Sequence, residues 1–166
     1  MSGIFGFKNL ELDINFIKSE LLHNHPDSFN SIQQDDITFC QSRIIINPKY
    51  EQNYSMHSNL SMLAFNGEIY NLQELKQEYL CDEELSHSLD VDVLMKLIEK
   101  YGFRILNKLN GMFAFVYYDK ISGSTFLVND RYSVKQLFYY ISNNSFAFSS
   151  EIKSIAEFCI PFSRIK

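Results

Sequence analysis

The stretch Phe65-Asn66-Gly67-Glu68-Ile69-Tyr70-Asn71 constrains this chain more than any other. It follows the apolar run Ser61-Met62-Leu63-Ala64, which reads as a buried strand, and leads into the helix-like Leu72-Gln73-Glu74-Leu75-Lys76. A strand that ends in Asn-Gly and then turns into a helix sets backbone N–H groups and a side-chain amide facing outward at one spot. That arrangement suits a developing oxyanion. The Glu68 carboxylate, one residue on, suits a substrate ammonium. Asn-Gly by itself is also an ordinary turn dipeptide, so the functional reading needs the rest of the chain.

The 166 residues suffice for one domain with a real core, and no repeat, low-complexity segment or linker divides them. Hydrophobic residues make up 46%, with 15 Phe, 10 Tyr and no Trp, which is a globular composition. A formal charge of −5 without any Lys/Arg cluster argues against a nucleic-acid surface. No apolar run has the length of a membrane span, and the first residues lack a signal-peptide pattern. Cys40, Cys81 and Cys159 are scattered, as are His23, His25, His57 and His87, so neither a metal site nor a disulfide framework is expected. Reduced thiols with packing roles in a cytoplasmic protein are the expectation.

The amino terminus, Met1-Ser2-Gly3-Ile4-Phe5-Gly6-Phe7, reads as a strand interrupted by two glycines. Glycine weakens a strand unless another group must approach the backbone closely. Removal of Met1 would leave Ser2 carrying both a hydroxyl and a free α-amine, whose ordinary pKa of about 7.7–8.0 suits a general base. An ordinary strand start accounts for the same residues. Asp13 caps a one-sided helix carrying Ile14, Ile17, Leu21 and Leu22, broken at His25-Pro26-Asp27-Ser28. Ile37 to Cys40 and Ile44 to Ile46 are strand-like, with Arg43 between them either snorkelling at an edge or pairing with an anion. Residues 47–59 read as a mobile loop.

Leu89, Val93, Leu94, Leu97, Ile98 and Tyr101 form one face of a helix that Gly102 ends. Asp90 and Asp92 lie in its first turn, where the helix dipole explains both. Met112 to Tyr118 pairs with Thr125 to Val128, and Leu137 to Ile141 with Ser145 to Phe148, as two hairpins. Asp130-Arg131 between them reads as a structural ion pair. The order predicts one α+β domain, with helices outside either two sheets or one large one.

Seven segments together resemble the amino-terminal glutaminase domain of asparagine synthetases, a class II glutamine amidotransferase of the N-terminal-nucleophile hydrolase type. They are Gly3-Ile4-Phe5-Gly6, Phe65 to Asn71, Asp90-Val91-Asp92-Val93-Leu94 and Leu109-Asn110-Gly111-Met112-Phe113-Ala114-Phe115. Asp130-Arg131-Tyr132-Ser133-Val134-Lys135, Leu137-Phe138-Tyr139-Tyr140 and Phe148-Ser149-Ser150-Glu151-Ile152-Lys153 complete the set. The resemblance implies a four-layer αββα sandwich of two antiparallel sheets, with L-glutamine as substrate and no cofactor. It also implies Ser2 as nucleophile and base, Asn66 and Gly67 as the oxyanion hole, and Arg43 on the glutamine α-carboxylate. Glu68 and Asp90 would surround the glutamine α-amine.

The family's nucleophile is cysteine, and Ser2 stands here instead, a weaker nucleophile that depends on its base throughout attack. The family's Arg-Gly-Pro-Asp loop is Asn24-His25-Pro26-Asp27, and its Asp-Arg-Phe-Gly is Asp130-Arg131-Tyr132-Ser133. The chain stops just past Ile152-Lys153, where the family's ATP-dependent synthetase domain would begin. No nucleotide-binding loop is visible, so no ATP site is expected. Released ammonia would need a synthetase acceptor in another chain or in further sequence. Two functions remain open: a glutaminase for a synthetase partner, and a degenerate relative that binds glutamine or a partner without hydrolysis. Whether Ser2 is native or a replacement of cysteine is open too.

Overall fold

The computed structural model describes residues 3–22, 27–45, 55–81 and 89–159, side chains at 22 and 157–159 excepted. The chain divides into two compact units: residues 1–44 with 136–166, and residues 45–135.

The first unit carries strands β1 (Gly3–Lys8), β2 (Ser28–Gln34) and β3 (Ile37–Arg43), and helix α1 (Ile14–Leu22). From the far end of the chain come β7 (Phe138–Ser142), β8 (Ser145–Ser149) and α4 (Ile152–Cys159). Its five strands are all antiparallel in the order β2-β3-β1-β8-β7, so the amino-terminal strand is central. Phe5 and Phe7 on one face of β1 pack with Ile17 and Leu21 of α1, Ala147 of β8 and Ile155 of α4. The glycine in this strand has the expected reason: a Cβ on Gly6 would fall 2.3 Å from the Phe148 ring. Asp13 does cap α1, accepting the Asn15 N–H at 2.8 Å.

Two readings of this part change. The segment 28–34 is a strand, although the sequence suggested only a helix break there. Its polar SFNSIQQ composition suits a sheet edge, and it pairs with β3 from Ser28↔Arg43 to Gln34↔Ile37. Conversely, Ile44 and Ile45 are not strand, because the β2–β3 ladder ends at the Ser28↔Arg43 pair. Of the expected loop 47–59, residues 47–54 lie outside the described residues, and His57 bridges to Met62.

The second unit holds β4 (Ser61–Ile69), α2 (Leu72–Tyr79), α3 (Asp90–Tyr101), a 3-10 helix (Gly102–Lys108), β5 (Gly111–Asp119) and β6 (Ser124–Asn129). Its three strands are antiparallel in the order β4-β5-β6. Leu63, Phe65 and Ile69 of β4 and Phe113, Phe115 and Tyr117 of β5 pack against Val93, Leu94, Leu97 and Ile98 of α3. Each fully buried side chain of this size contributes about 1.5–3 kcal/mol. The described residues therefore form two antiparallel sheets and not one large sheet, and the class is α+β.

Asp130 and Arg131 are not an ion pair. Arg131 is exposed, while the buried Asp130 carboxylate accepts backbone N–H groups from Phe113, Tyr132, Val134 and Lys135. Burial pushes this carboxyl up, but the four backbone donors outweigh it and hold Asp130 below the usual carboxylate range.

Candidate active site

β4 alternates so that Phe65 enters the core beneath α3 while Asn66 faces the opposite side, where it is 6% exposed. The next residue lies opposite Phe113 in the β4–β5 register. Gly67 has φ +145, and a Cβ there would fall 2.1 Å from Met112 O and 2.6 Å from Phe113 Cα. Only glycine fits both the dihedral and the space. The strand thus places a buried amide side chain and a closely packed glycine N–H in succession, the donor types an oxyanion hole uses.

Beyond them β4 ends in a clamp. Tyr70 N donates to Asn110 O at 2.8 Å, and the Asn71 side chain donates to Lys108 O and accepts Asn110 N, both at 2.9 Å. Asn71 O also accepts Leu75 N, which starts α2 in a fixed direction. Glu68 is exposed at this strand end. Asp90, expected as a simple helix cap, instead accepts Ile69 N at 2.9 Å. Asp92 does the capping, taking Leu89 N at 3.1 Å. Burial pushes the Asp90 carboxyl above its ordinary 3.8; the Ile69 hydrogen bond opposes the rise, Glu68 adds to it and Lys76 opposes it. Two carboxylates therefore share one strand end, and one of them carries a charge that its surroundings disfavour. A cation brought there would relieve both.

In the other unit, Arg43 is the half-buried last residue of β3, opposite Ser28. Ser2 lies outside the described residues. The strand it precedes is fixed at once: Gly3 N donates to Ser42 Oγ and Ile4 N to Ser150 Oγ, each at 3.1 Å. The structure thus brings Glu68 and Asp90 together at the end of β4, with Asn66 and Gly67 just before them in the same strand, and sets Arg43 in the unit that holds β1. Sequence reasoning missed Ser42, Ser150, the Asn71 clamp and the Asp130 hub, because hydroxyls and carboxylates that serve backbone N–H groups leave no spacing signature. Among the described residues no cluster of three or more His, Cys, Asp or Glu is placed to hold a metal ion, and no helix is long and apolar enough to cross a membrane.

Comparison with known proteins identifies the family and the fold. A family model described as a glutamine amidotransferase domain matches residues 1–164. The chain is 39% identical over 94 residues to an asparagine synthetase [glutamine-hydrolyzing] of Bacillus subtilis, covering 57% of this chain and 12% of that protein. It is 27% identical over 174 residues to asparagine synthetase B [glutamine-hydrolyzing] of Escherichia coli, covering 96% of this chain and 30% of the relative. The chain therefore spans less than a third of either relative. Among solved structures, glutamine phosphoribosylpyrophosphate amidotransferase from B. subtilis superposes with a TM-score of 0.74 over 92% of this chain and 42% of that one, at 17% identity. That likeness bears out the expected N-terminal-nucleophile hydrolase fold. With the family model matched over nearly every residue, the chain belongs to the glutamine amidotransferase domain family.

Proposed function

We propose that this chain is a single glutaminase domain that hydrolyses the side-chain amide of L-glutamine to glutamate and ammonia. The observation that carries the reading is the joined pair at the end of β4: Asn66-Gly67 as donors, and Glu68 beside an Asp90 drawn onto Ile69 N. A helix cap alone has no use for Asp90 in that place, whereas the ammonium of an amino-acid substrate does. Ser2, freed of Met1, attacks the amide carbon while its α-amine accepts the hydroxyl proton. Asn66 and Gly67 donate to the tetrahedral oxyanion. The C–N bond breaks as the amine's proton passes to the leaving nitrogen, giving a glutamyl ester on Ser2 and ammonia. Water then adds to the ester, and glutamate leaves with Ser2 restored. Arg43 pairs with the substrate α-carboxylate, and Glu68 and Asp90 with its α-ammonium.

The ammonia acceptor in this proposal is an ATP-dependent synthetase domain or subunit, supported by the names of the relatives and the length they have beyond the matched part. A cytoplasmic setting fits the cysteines, of which Cys40 and Cys81 are free thiols. Ser2 in the nucleophile position favours a second reading, a domain that binds glutamine and has lost hydrolysis. Glutamate release from glutamine by the parent chain and by Ser2→Cys separates them. Release by the parent, raised in Ser2→Cys, supports the glutaminase. Binding of glutamine without release by either chain supports the second reading and overturns the first.

A further inference from the structure

Phe113, in the middle strand of the β4-β5-β6 sheet, is held from both sides. On the β4 side the Gly67 backbone packs against Met112 O and Phe113 Cα with no room for a Cβ. On the other side β6 ends at Asn129, paired with Ala114, and the next residue continues the ladder in an altered form. Asp130 N donates to Phe113 O at 2.8 Å, as a strand residue would. Phe113 N, however, donates to the Asp130 side chain at 3.1 Å, because the Asp130 carbonyl has turned away to accept Ser133 N at 3.0 Å. The same carboxylate gathers Tyr132 N at 2.9 Å, Val134 N at 3.0 Å and Lys135 N at 3.3 Å. Asp130 is 6% exposed, so this is a built hub and not a surface contact.

We propose that Asp130 is a positioning residue for glutamine amide cleavage, acting through Phe113 on the backbone of Gly67. The inference rests on the glutaminase reading above. Its physical basis is the absence of slack: where backbone meets backbone without a Cβ, a shift of β5 by a few tenths of an ångström is passed directly to the Gly67 N–H. An oxyanion donor acts on charge that develops in the transition state. Misaiming it therefore lowers kcat and leaves ground-state glutamine binding intact.

The test compares the active parent chain, or Ser2→Cys if the parent is slow, with Asp130→Asn and Asp130→Ala in the same background. Asn keeps one acceptor oxygen and Ala none, so kcat is expected to fall roughly tenfold and then roughly a hundredfold, with KM within about twofold. The Gly67 amide resonance should move in both variants, while those of Gly102 and Gly123 stay in place. Unchanged kcat in a folded variant, a rise in KM matching any loss, or an unmoved Gly67 resonance overturns the role of Asp130 alone. Absence of glutamate from both parent and Ser2→Cys overturns the functional reading, and this role with it. If neither variant folds, hydrogen exchange of the parent decides. Protected Phe113, Tyr132 and Val134 amides, opening together with the bonded Ile69 amide two residues beyond Gly67, support the proposal, and free exchange at those three overturns it.

Discussion

The Asp90 carboxylate accepts the Ile69 N–H at 2.9 Å, which ties the first residue of α3 to the last residue of β4. Through this bond the helix lends an acid to the strand end that carries Asn66, Gly67 and Glu68. Burial leaves that acid with a pKa above its ordinary 3.8. A group of this kind favours the folded state in its protonated form. Its contribution is full below the unfolded value and is lost as pH rises through the raised folded value, so at neutral pH its charge is a cost to the fold. Asp90→Asn should therefore leave the melting temperature at neutral pH unchanged or raised, as read by calorimetry. Glutamine binding should weaken about ten- to a hundredfold, the roughly 1.5–3 kcal/mol of a hydrogen bond to a charged group.

The same shift sets a pH dependence. Glutamine's ammonium binds the ionised carboxylate, so affinity should fall with acidification through the raised Asp90 pKa, earlier than an ordinary carboxylate would cause. Isothermal titration across that range in parent and Asp90→Asn checks it: the variant's remaining fall should begin at lower pH.

Gly67→Ala and Gly102→Ala separate backbone strain from crowding. Both glycines have positive φ, +145 and +67, but a Cβ at Gly102 meets nothing within 4 Å. Gly102, at φ 67 and ψ −170, lies in a region that only glycine adopts readily, so Gly102→Ala should cost about 1–3 kcal/mol in chemical denaturation, the dihedral penalty alone. Gly67→Ala adds the collision with Met112 O and should cost roughly 3 kcal/mol or more, with glutamate production lost in whatever remains folded.

At the opposite end of β4, Glu99 Oε1 accepts the hydroxyls of Ser58 and of fully buried Ser61, while Lys120 Nζ donates to Ser58 O. Glu99→Ala removes the acceptor that Ser58 and Ser61 share, leaving the contact of the two hydroxyls at 3.2 Å, and should cost about 1–3 kcal/mol. That corresponds to a melting point lower by about 5 °C. Glutamine kinetics should be unchanged, since the network sits at the far end of the strand from Gly67.

The cysteines should differ sharply in reactivity. Burial pushes the Cys40 thiol up to about 12, and its side chain is fully enclosed, whereas Cys81 is exposed. Peptide mapping after native alkylation should show label at Cys81 and none at Cys40 until the protein is unfolded.

What could be read from the sequence followed periodicity and turn chemistry. The α3 face from Val93 to Ile98, its end at Gly102 and both hairpins were legible because apolar spacing and turn residues carry them directly. β2 was hidden because an edge strand needs little apolar content, and Phe29 and Ile32 are its only large apolar residues. Asp90 looked like a cap because a first-turn acid is always explained by the helix dipole; only the fold brings Ile69 N to it. Asp130 looked like half of an ion pair because a neighbouring Arg is visible in sequence and four backbone donors are not. Asn66 and Gly67 read from the sequence as the end of a strand, but β4 continues through them to Ile69, because β5 pairs with the strand as far as Gly111 and Gly67 packs on Phe113 too closely for a side chain.

The central claim is that Ser2 is a working amino-terminal nucleophile, and it is tested most directly on one sample by intact mass, amino-terminal sequencing and glutamate release. The account predicts a chain that begins at Ser2 and releases glutamate from glutamine, with the rate cut about 10³-fold or more by Ser2→Ala. Retained Met1, or a processed chain whose glutamate release is the same in Ser2→Ala, would contradict it.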